Sequence, residues 1–224
     1  ATSSAWDGPE RMAYLFVGQI LPKNKYAILS GPSHAEEVAI DIPTTVVVAS
    51  KDKIIAEYVQ DVFMMPNFRV YTNPDVIGVE LGGSLKNVIA LAAGISDGLG
   101  YGDNFQAVLV SNAIREMRRF VGKVDGDTSR DVNTSAYLGD LLVTAYSQFS
   151  RNRTFGNMIG KGYSVQSAQL EMNMVAEGYY ASACVAEYAK KYEVELPICD
   201  AVYQILYQHQ SASKIIQALS EKLT

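Results

Sequence analysis

Hydrophobic and polar positions change their rhythm near residue 73. Upstream, short apolar runs alternate with helical stretches. Residues 9–21 (PERMAYLFVGQIL) read as a short helix with Pro9 in its first turn. Residues 25–29 (KYAIL) read as a strand that ends in the turn Ser30-Gly31-Pro32-Ser33. His34 to Ala39 predict the start of a helix, with Ser33 as N-cap and Glu36 three residues on. Residues 44–50 (TTVVVAS) are continuously apolar and β-branched, the mark of a strand buried on both faces. Residues 53–63 predict a helix and residues 68–72 (FRVYT) another strand. This alternation predicts an α/β sheet over residues 1–73.

Beyond Asn73-Pro74 the period becomes helical. Residues 75–97 predict one long helix, with apolar positions at Val79, Leu81, Leu85, Val88, Ile89, Ala92 and Ala93. Residues 103–121 predict a second, capped by Asp103, before a polar break from Gly122 to Arg130. Residues 133–147 again read as helical, and Ser150-Arg151-Asn152-Arg153 as a polar hinge at a helix start. Helices are expected at 164–172, 177–192, 197–208 and 213–222, with no strand after residue 72. Residues 74–224 are therefore expected to be all-helical.

Composition narrows the class. With 224 residues, 48% of them hydrophobic and 19% charged, a large buried core is expected. A net charge of -5 without a basic run argues against nucleic acid as a partner. Two cysteines and two histidines without a CxxC pair argue against a Cys/His metal cage. Two free thiols fit a reducing cytoplasm. The longest apolar run, Asn87 to Ile95, is too short for a membrane span, and the polar N-terminus has no signal-peptide pattern. That N-terminus also lacks an initiator Met, which fits a processed or clipped end.

Five places could carry chemistry. Lys86 lies mid-helix among apolar residues, just after Gly82-Gly83 and next to Asn87. A charge there needs a partner or a cleft, and burial tunes a lysine toward proton transfer. A solvated helical lysine is the bland reading, and the glycine pair and Asn87 weigh against it. Asp140 precedes an apolar helical run; spacing alone makes it a cap, while chemistry would make it a carboxylate serving a lysine. Ser150-Arg151-Asn152 at a helix start suits a phosphate, and a plain loop fits equally well. Ser30-Gly31-Pro32-Ser33 lies where open α/β sheets bind ligands, and is also explained as a tight connection. Glu177, in Val175-Ala176-Glu177-Gly178, stands near a helix start and is a weak signal by itself.

In this order the motifs resemble the bacterial-type NAD(P)-dependent glycerol-3-phosphate dehydrogenases. The matching stretches are SGPSHAEEVA (30–39), PTTVVVAS (43–50), the run from Phe68 to Asn104 containing VELGGSLKNVIALAAG, LGDLLVTAYSQFSRNRTFG (138–156), VAEG (175–178) and LPICDAVYQILY (196–207). They cover roughly residues 26–210. The resemblance implies the C-terminal portion of a Rossmann-type dinucleotide-binding domain over residues 1–73. An all-α domain like that of 6-phosphogluconate dehydrogenase would follow over 74–224. It implies Lys86 as proton donor and acceptor at the substrate's C2 oxygen, with Asp140 beside it. Gly31, Ser33, Asn87, Ser150, Arg151 and Asn152 would hold glycerol 3-phosphate or dihydroxyacetone phosphate. Ala35, Arg151, Val175 and Glu177 would contact NAD or NADP. A cytoplasmic homodimer that supplies glycerophospholipid precursors is implied, with no membrane and no metal.

The chain also departs from that family. His34 stands where an aromatic such as Phe is usual, and Tyr137 where a small residue is usual. Residues 122–134 match poorly and residues 1–25 weakly. No GxGxxG turn follows a strand; Gly98, Gly100 and Gly102 follow a helix at the wrong spacing. An upstream substrate lysine is missing as well. A fragment of a full enzyme is the expectation. The alternatives are a non-catalytic helical dimerisation or substrate-binding module, and a related β-hydroxyacid-type dehydrogenase.

Overall fold

In the computed structural model, residues 25–172 and 175–224 are described. The helix expected over residues 9–21 lies outside them. The chain forms two compact units. One runs to Gly83 and takes in Asp131–Asp140; the other comprises Ser84–Arg130 and Leu141–Thr224.

The first unit is built on a three-stranded sheet of β1 (Ile28–Ser30), β2 (Thr44–Ala49) and β3 (Phe68–Asn73), in the order β1-β2-β3. β1 pairs antiparallel to β2, with Ile28 opposite Ala49. β2 pairs parallel to β3, with Thr44 opposite Phe68. The parallel crossover is made by α2 (Lys53–Phe63), whose N-cap Asp52 accepts from the Ile54 and Ile55 amides at 3.0 and 3.4 Å. Val46, Val48, Ala56, Phe68 and Val70 form its core, with Ala27, Val38 and Val59 packed on it. Burial of four of the six β2 positions at 6% exposure or less explains why that strand reads as unbroken apolar sequence.

The preceding helix α1 (Ala35–Val38) is a single turn, and its N-cap is His34, not Ser33. The Ser33 hydroxyl is spent elsewhere: it donates to the Gly31 carbonyl at 3.0 Å and closes the turn. Gly31 has φ of +131°, and a Cβ there would meet Val46 Cα at 3.1 Å. Both conditions require glycine at this point of the strand exit.

Helix α3 (Val76–Gly98) is capped by Asp75, whose Oδ1 accepts from the Gly78 amide at 3.0 Å and whose Oδ2 accepts from the Tyr137 hydroxyl. Tyr137 is 2% exposed, so the departure from a small residue is accommodated with its hydroxyl hydrogen-bonded to Asp75. By length and composition α3 could cross a membrane, with a mean hydropathy of 1.4 over an 18-residue window. This corrects the expectation that no stretch reaches that length. Two thirds of the window, 67%, is buried in protein, as in a core helix.

In the second unit α4 (Asp103–Asp125) runs past the break expected at Gly122 and ends at Gly126, which takes the left-handed conformation. Its N-cap is Gly102, and Asp103 lies in the first turn without capping it. The segment expected to be one helix over 133–147 is a π-helical turn, Ser135–Gly139, leading into α5 (Asp140–Tyr146). Then follow α6 (Arg151–Gly160), α7 (Val165–Glu171), α8 (Glu177–Lys191), α9 (Pro197–Tyr207) and α10 (Ala212–Ser220). No strand follows Asn73 among the described residues.

One buried carboxyl stands out in this unit. Glu116, 3% exposed on α4, accepts from the Ile198 and Cys199 amides at 2.7 and 3.4 Å and so caps α9. Burial pushes its carboxyl up from 4.5 to about 7; those two amides and Arg119 oppose the rise without cancelling it. The native state thus holds a proton that the unfolded chain releases at lower pH. The stabilisation is full below about pH 4.5 and is lost as pH rises to about 7. Between pH 5 and 8 the chain should lose on the order of 3 kcal/mol relative to Glu116→Gln, followed by urea unfolding at successive pH values. Parallel pH profiles for the two proteins would refute the assignment.

Candidate functional site

The candidate residues fall into two groups, one in each unit. In the first, Gly31 and Ser33 form the β1 exit turn and Ala35 opens α1, exposed. Ser30 in that turn donates to Asp140 Oδ2 at 3.4 Å, and Gly139 lies 3.7 Å from the Pro32 ring through the Cβ position. Asp140 is 2% exposed and sits inside the first turn of α5. It therefore does not act as the simple cap that spacing suggested. The π-helical turn before it, with its backbone carried by Thr134 and Val132 carbonyls, presents this carboxylate to the turn at Ser30.

The second group is assembled on α3. Its apolar positions Leu85, Val88, Ile89, Leu91 and Ala92 are fully buried, while Lys86 and Asn87 are half-buried. Lys86 is thus at the edge of the core, not enclosed by it. Asn87 Oδ1 accepts from Asn152 Nδ2 at 2.9 Å, which brings the Lys86-Asn87 step to the start of α6. There Ser150 is the N-cap, accepting from the Arg153 amide at 3.3 Å, and is 4% exposed. Ser150 and Asn152 are buried at this helix start. The two arginines differ. Arg153 pairs with Asp97 at 3.2 Å, and Asn157 donates to the same carboxylate at 2.7 Å. Arg151 is exposed and forms no ion pair among the described residues. A helix N-terminus with a serine cap and an exposed guanidinium is a fitting seat for an anion.

Asn152 reaches a third segment. Its Oδ1 accepts from the Gly178 amide at 2.8 Å, at the start of α8. Val175 and Glu177 there are exposed, while Ala176 and Gly178 between and beyond them are buried. Asn87, Asn152 and the Val175–Gly178 segment, far apart in sequence, are thus joined by two hydrogen bonds.

The sequence reading missed what holds these helices at that distance. Gly94 and Gly98 on α3 face Gly156 and Gly160 on α6. A Cβ at Gly94 would lie 2.0 Å from the Arg153 carbonyl oxygen, and one at Gly156 2.3 Å from that of Leu91. The spacing of four in each pair was the available signal. Glu116 was missed too: nothing local marks it, because its partners are at residues 198 and 199.

Comparison with known proteins agrees with this architecture. The family model described as the NAD-dependent glycerol-3-phosphate dehydrogenase C-terminus matches residues 75–217. The corresponding N-terminus model matches residues 8–56, so the likeness begins earlier than residue 26. Glycerol-3-phosphate dehydrogenase (NAD(P)+) of Bacillus subtilis is 48% identical over 86% of this chain and 55% of its own length. That of Fusobacterium nucleatum is 46% identical over 95% of this chain and 64% of its own. The crystal structure of glycerol-3-phosphate dehydrogenase from Coxiella burnetii superposes with a TM-score of 0.90 at 37% identity, covering 95% of this chain and 65% of that one. The yeast enzyme gives 0.80 at 25% identity, over 95% and 64%. The chain spans 55–64% of the two curated relatives' length.

Proposed function

From the premise that the chain belongs to the NAD-dependent glycerol-3-phosphate dehydrogenase family, we propose that it carries the substrate-holding and proton-transferring half of an NAD(P)-dependent oxidoreductase. The reaction interconverts sn-glycerol 3-phosphate and dihydroxyacetone phosphate. The observation that supports this most directly is the Asn87–Asn152 hydrogen bond, which sets the Lys86-Asn87 step beside the helix start bearing Ser150 and Arg151.

The division of labour follows from residue chemistry. Ser150, Arg151 and Asn152 offer a helix N-terminus, a guanidinium and a carboxamide to the phosphate. Lys86 gives its proton to the C2 oxygen when dihydroxyacetone phosphate is reduced and recovers it in the reverse direction. Asn87 fixes the substrate, and Gly31, Ser33 and Asp140 are assigned to the same chemistry. NAD or NADP, when bound, supplies or accepts the hydride at C2. Residues toward it fit: Val175 and Glu177 are exposed at the start of α8, and Ala35 at the start of α1, where backbone amides and a carboxylate suit a nicotinamide nucleotide. Arg151 is assigned to both ligands. Residues 1–73 are read as the end of the dinucleotide-binding domain and 74–224 as the helical domain. A cytoplasmic homodimer feeding glycerophospholipid synthesis completes the reading.

Phosphate dependence is the test. The full-length protein should turn over dihydroxyacetone phosphate and leave unphosphorylated dihydroxyacetone essentially untouched. Arg151→Ala should raise KM for the phosphorylated substrate about 10- to 100-fold. Equal turnover of the two compounds would point instead to a β-hydroxyacid-type activity.

A further inference from the structure

The hydrogen bonds around Asn152 fix more than its own place. The Gly178 amide can only donate, so the Asn152 atom facing it is Oδ1. Asn152 Nδ2 must then face Asn87, and because that nitrogen can only donate, the atom it meets is Asn87 Oδ1. Asn87 Nδ2 is turned away from Asn152, and it has no hydrogen-bond partner among the described residues. A single backbone N–H thus decides the orientation of two carboxamides in series.

The same contact completes a helix start. Ala176, the N-cap of α8, has no side chain to cap with. Asn152, 8% exposed, supplies the missing acceptor from α6. The fit is tight: a Cβ at Gly178 would lie 2.5 Å from the Asn87 carbonyl oxygen and 2.9 Å from Asn152 Oδ1.

We propose that Asn152 is a positioning residue. It turns Asn87 so that N–H donors, not a carbonyl oxygen, face the oxygen atoms of the substrate, and it ties that orientation to the segment Val175–Gly178. The inference rests on the reading of Asn87 as a substrate contact. The oxygens of a phosphate ester and of a carbonyl can only accept, so an inverted Asn87 would meet them with a lone pair and repel them.

Asn152→Asp separates this role from direct contact. The carboxylate keeps the shape, still accepts from the Gly178 amide, and suits a helix N-terminus. It has no N–H for Asn87, which should then swing its own N–H groups inward. In the full-length protein KM for glycerol 3-phosphate should rise about 10- to 100-fold, with a smaller change in kcat. In an Asn87→Ala background the same substitution should raise KM several-fold less than it does in the wild type, because only its own contact with the phosphate is then lost and nothing is left to misorient. An equal rise in both backgrounds would overturn the proposal, since a direct contact or a charge effect does not need Asn87. A silent Asn87→Ala would instead remove the reading of Asn87 and the proposal with it. Should Asn152→Asp fail to fold, Asn87→Asp carries the test. It accepts from Asn152 as before and has no N–H to offer, so Tm should hold while KM rises at least as far as in Asn87→Ala. An unchanged KM there would overturn the proposal.

Discussion

Lys86→Ala in the full-length protein should lower kcat by about 10²- to 10⁴-fold, the range lost when a positioned acid–base group is removed. Lys86 is half-buried on a helix whose neighbouring positions Leu85 and Val88 are fully buried, and the next residue, Asn87, is pinned to the start of α6. A long flexible side chain anchored at that point has one compact ammonium to deliver. Lys86→Arg keeps the positive charge but holds its proton too firmly to exchange it at neutral pH, so it should stay within about tenfold of the alanine variant in kcat. Substrate KM should change less than kcat in both, because phosphate binding is assigned to Ser150 and Arg151. Steady-state rates in both directions measure this. Near-normal turnover of Lys86→Ala would remove the assigned role, and recovery in Lys86→Arg would show that only charge was needed.

Much of the scaffold was legible in the sequence, for local reasons. β2 could be read because Thr44 to Ala49 is buried on both faces and so has no polar alternation to hide it. The later helices were placed to within a residue or two, since Ser164, Pro197 and Ser211 punctuate them. What could not be read depended on distant partners. Ser33 looked like a cap until its hydroxyl was found on the Gly31 carbonyl. The π-helical turn over Ser135–Gly139 is tied to Asp75 through Tyr137, a pairing that no periodicity encodes. The site divided in the same way. Resemblance named Asn87 and Asn152 individually, but their bond joins residues 65 positions apart, and the Gly178 amide that orients both is invisible to composition or spacing.

The spacing of Gly94, Gly98, Gly156 and Gly160 was visible and its meaning was not. Read one at a time, a helical glycine is only a weak position and Gly98 only a helix stop. Paired across two helices they describe a crossing in which backbone meets backbone. A methyl group at Gly156 would stand 2.3 Å from the Leu91 oxygen and 3.0 Å from the Ile95 amide. These atoms belong to an α-helix and cannot rotate away as a side chain would, so α3 and α6 must move apart. Gly156→Ala should therefore cost about 4–5 kcal/mol, beyond the usual overpacking penalty, because separation also forfeits the dispersion contacts along the crossing. On an exposed helix the same change would stabilise by about 1 kcal/mol, so the sign itself discriminates. The consequence reaches the site. Asn152 lies one turn before Gly156 on α6, and widening the crossing lengthens its 2.9 Å bond to Asn87. Chemical unfolding should show the loss of stability, and folded Gly156→Ala at low temperature should bind glycerol 3-phosphate more weakly. Wild-type stability in Gly156→Ala would mean that the two helices do not meet as closely as these distances require.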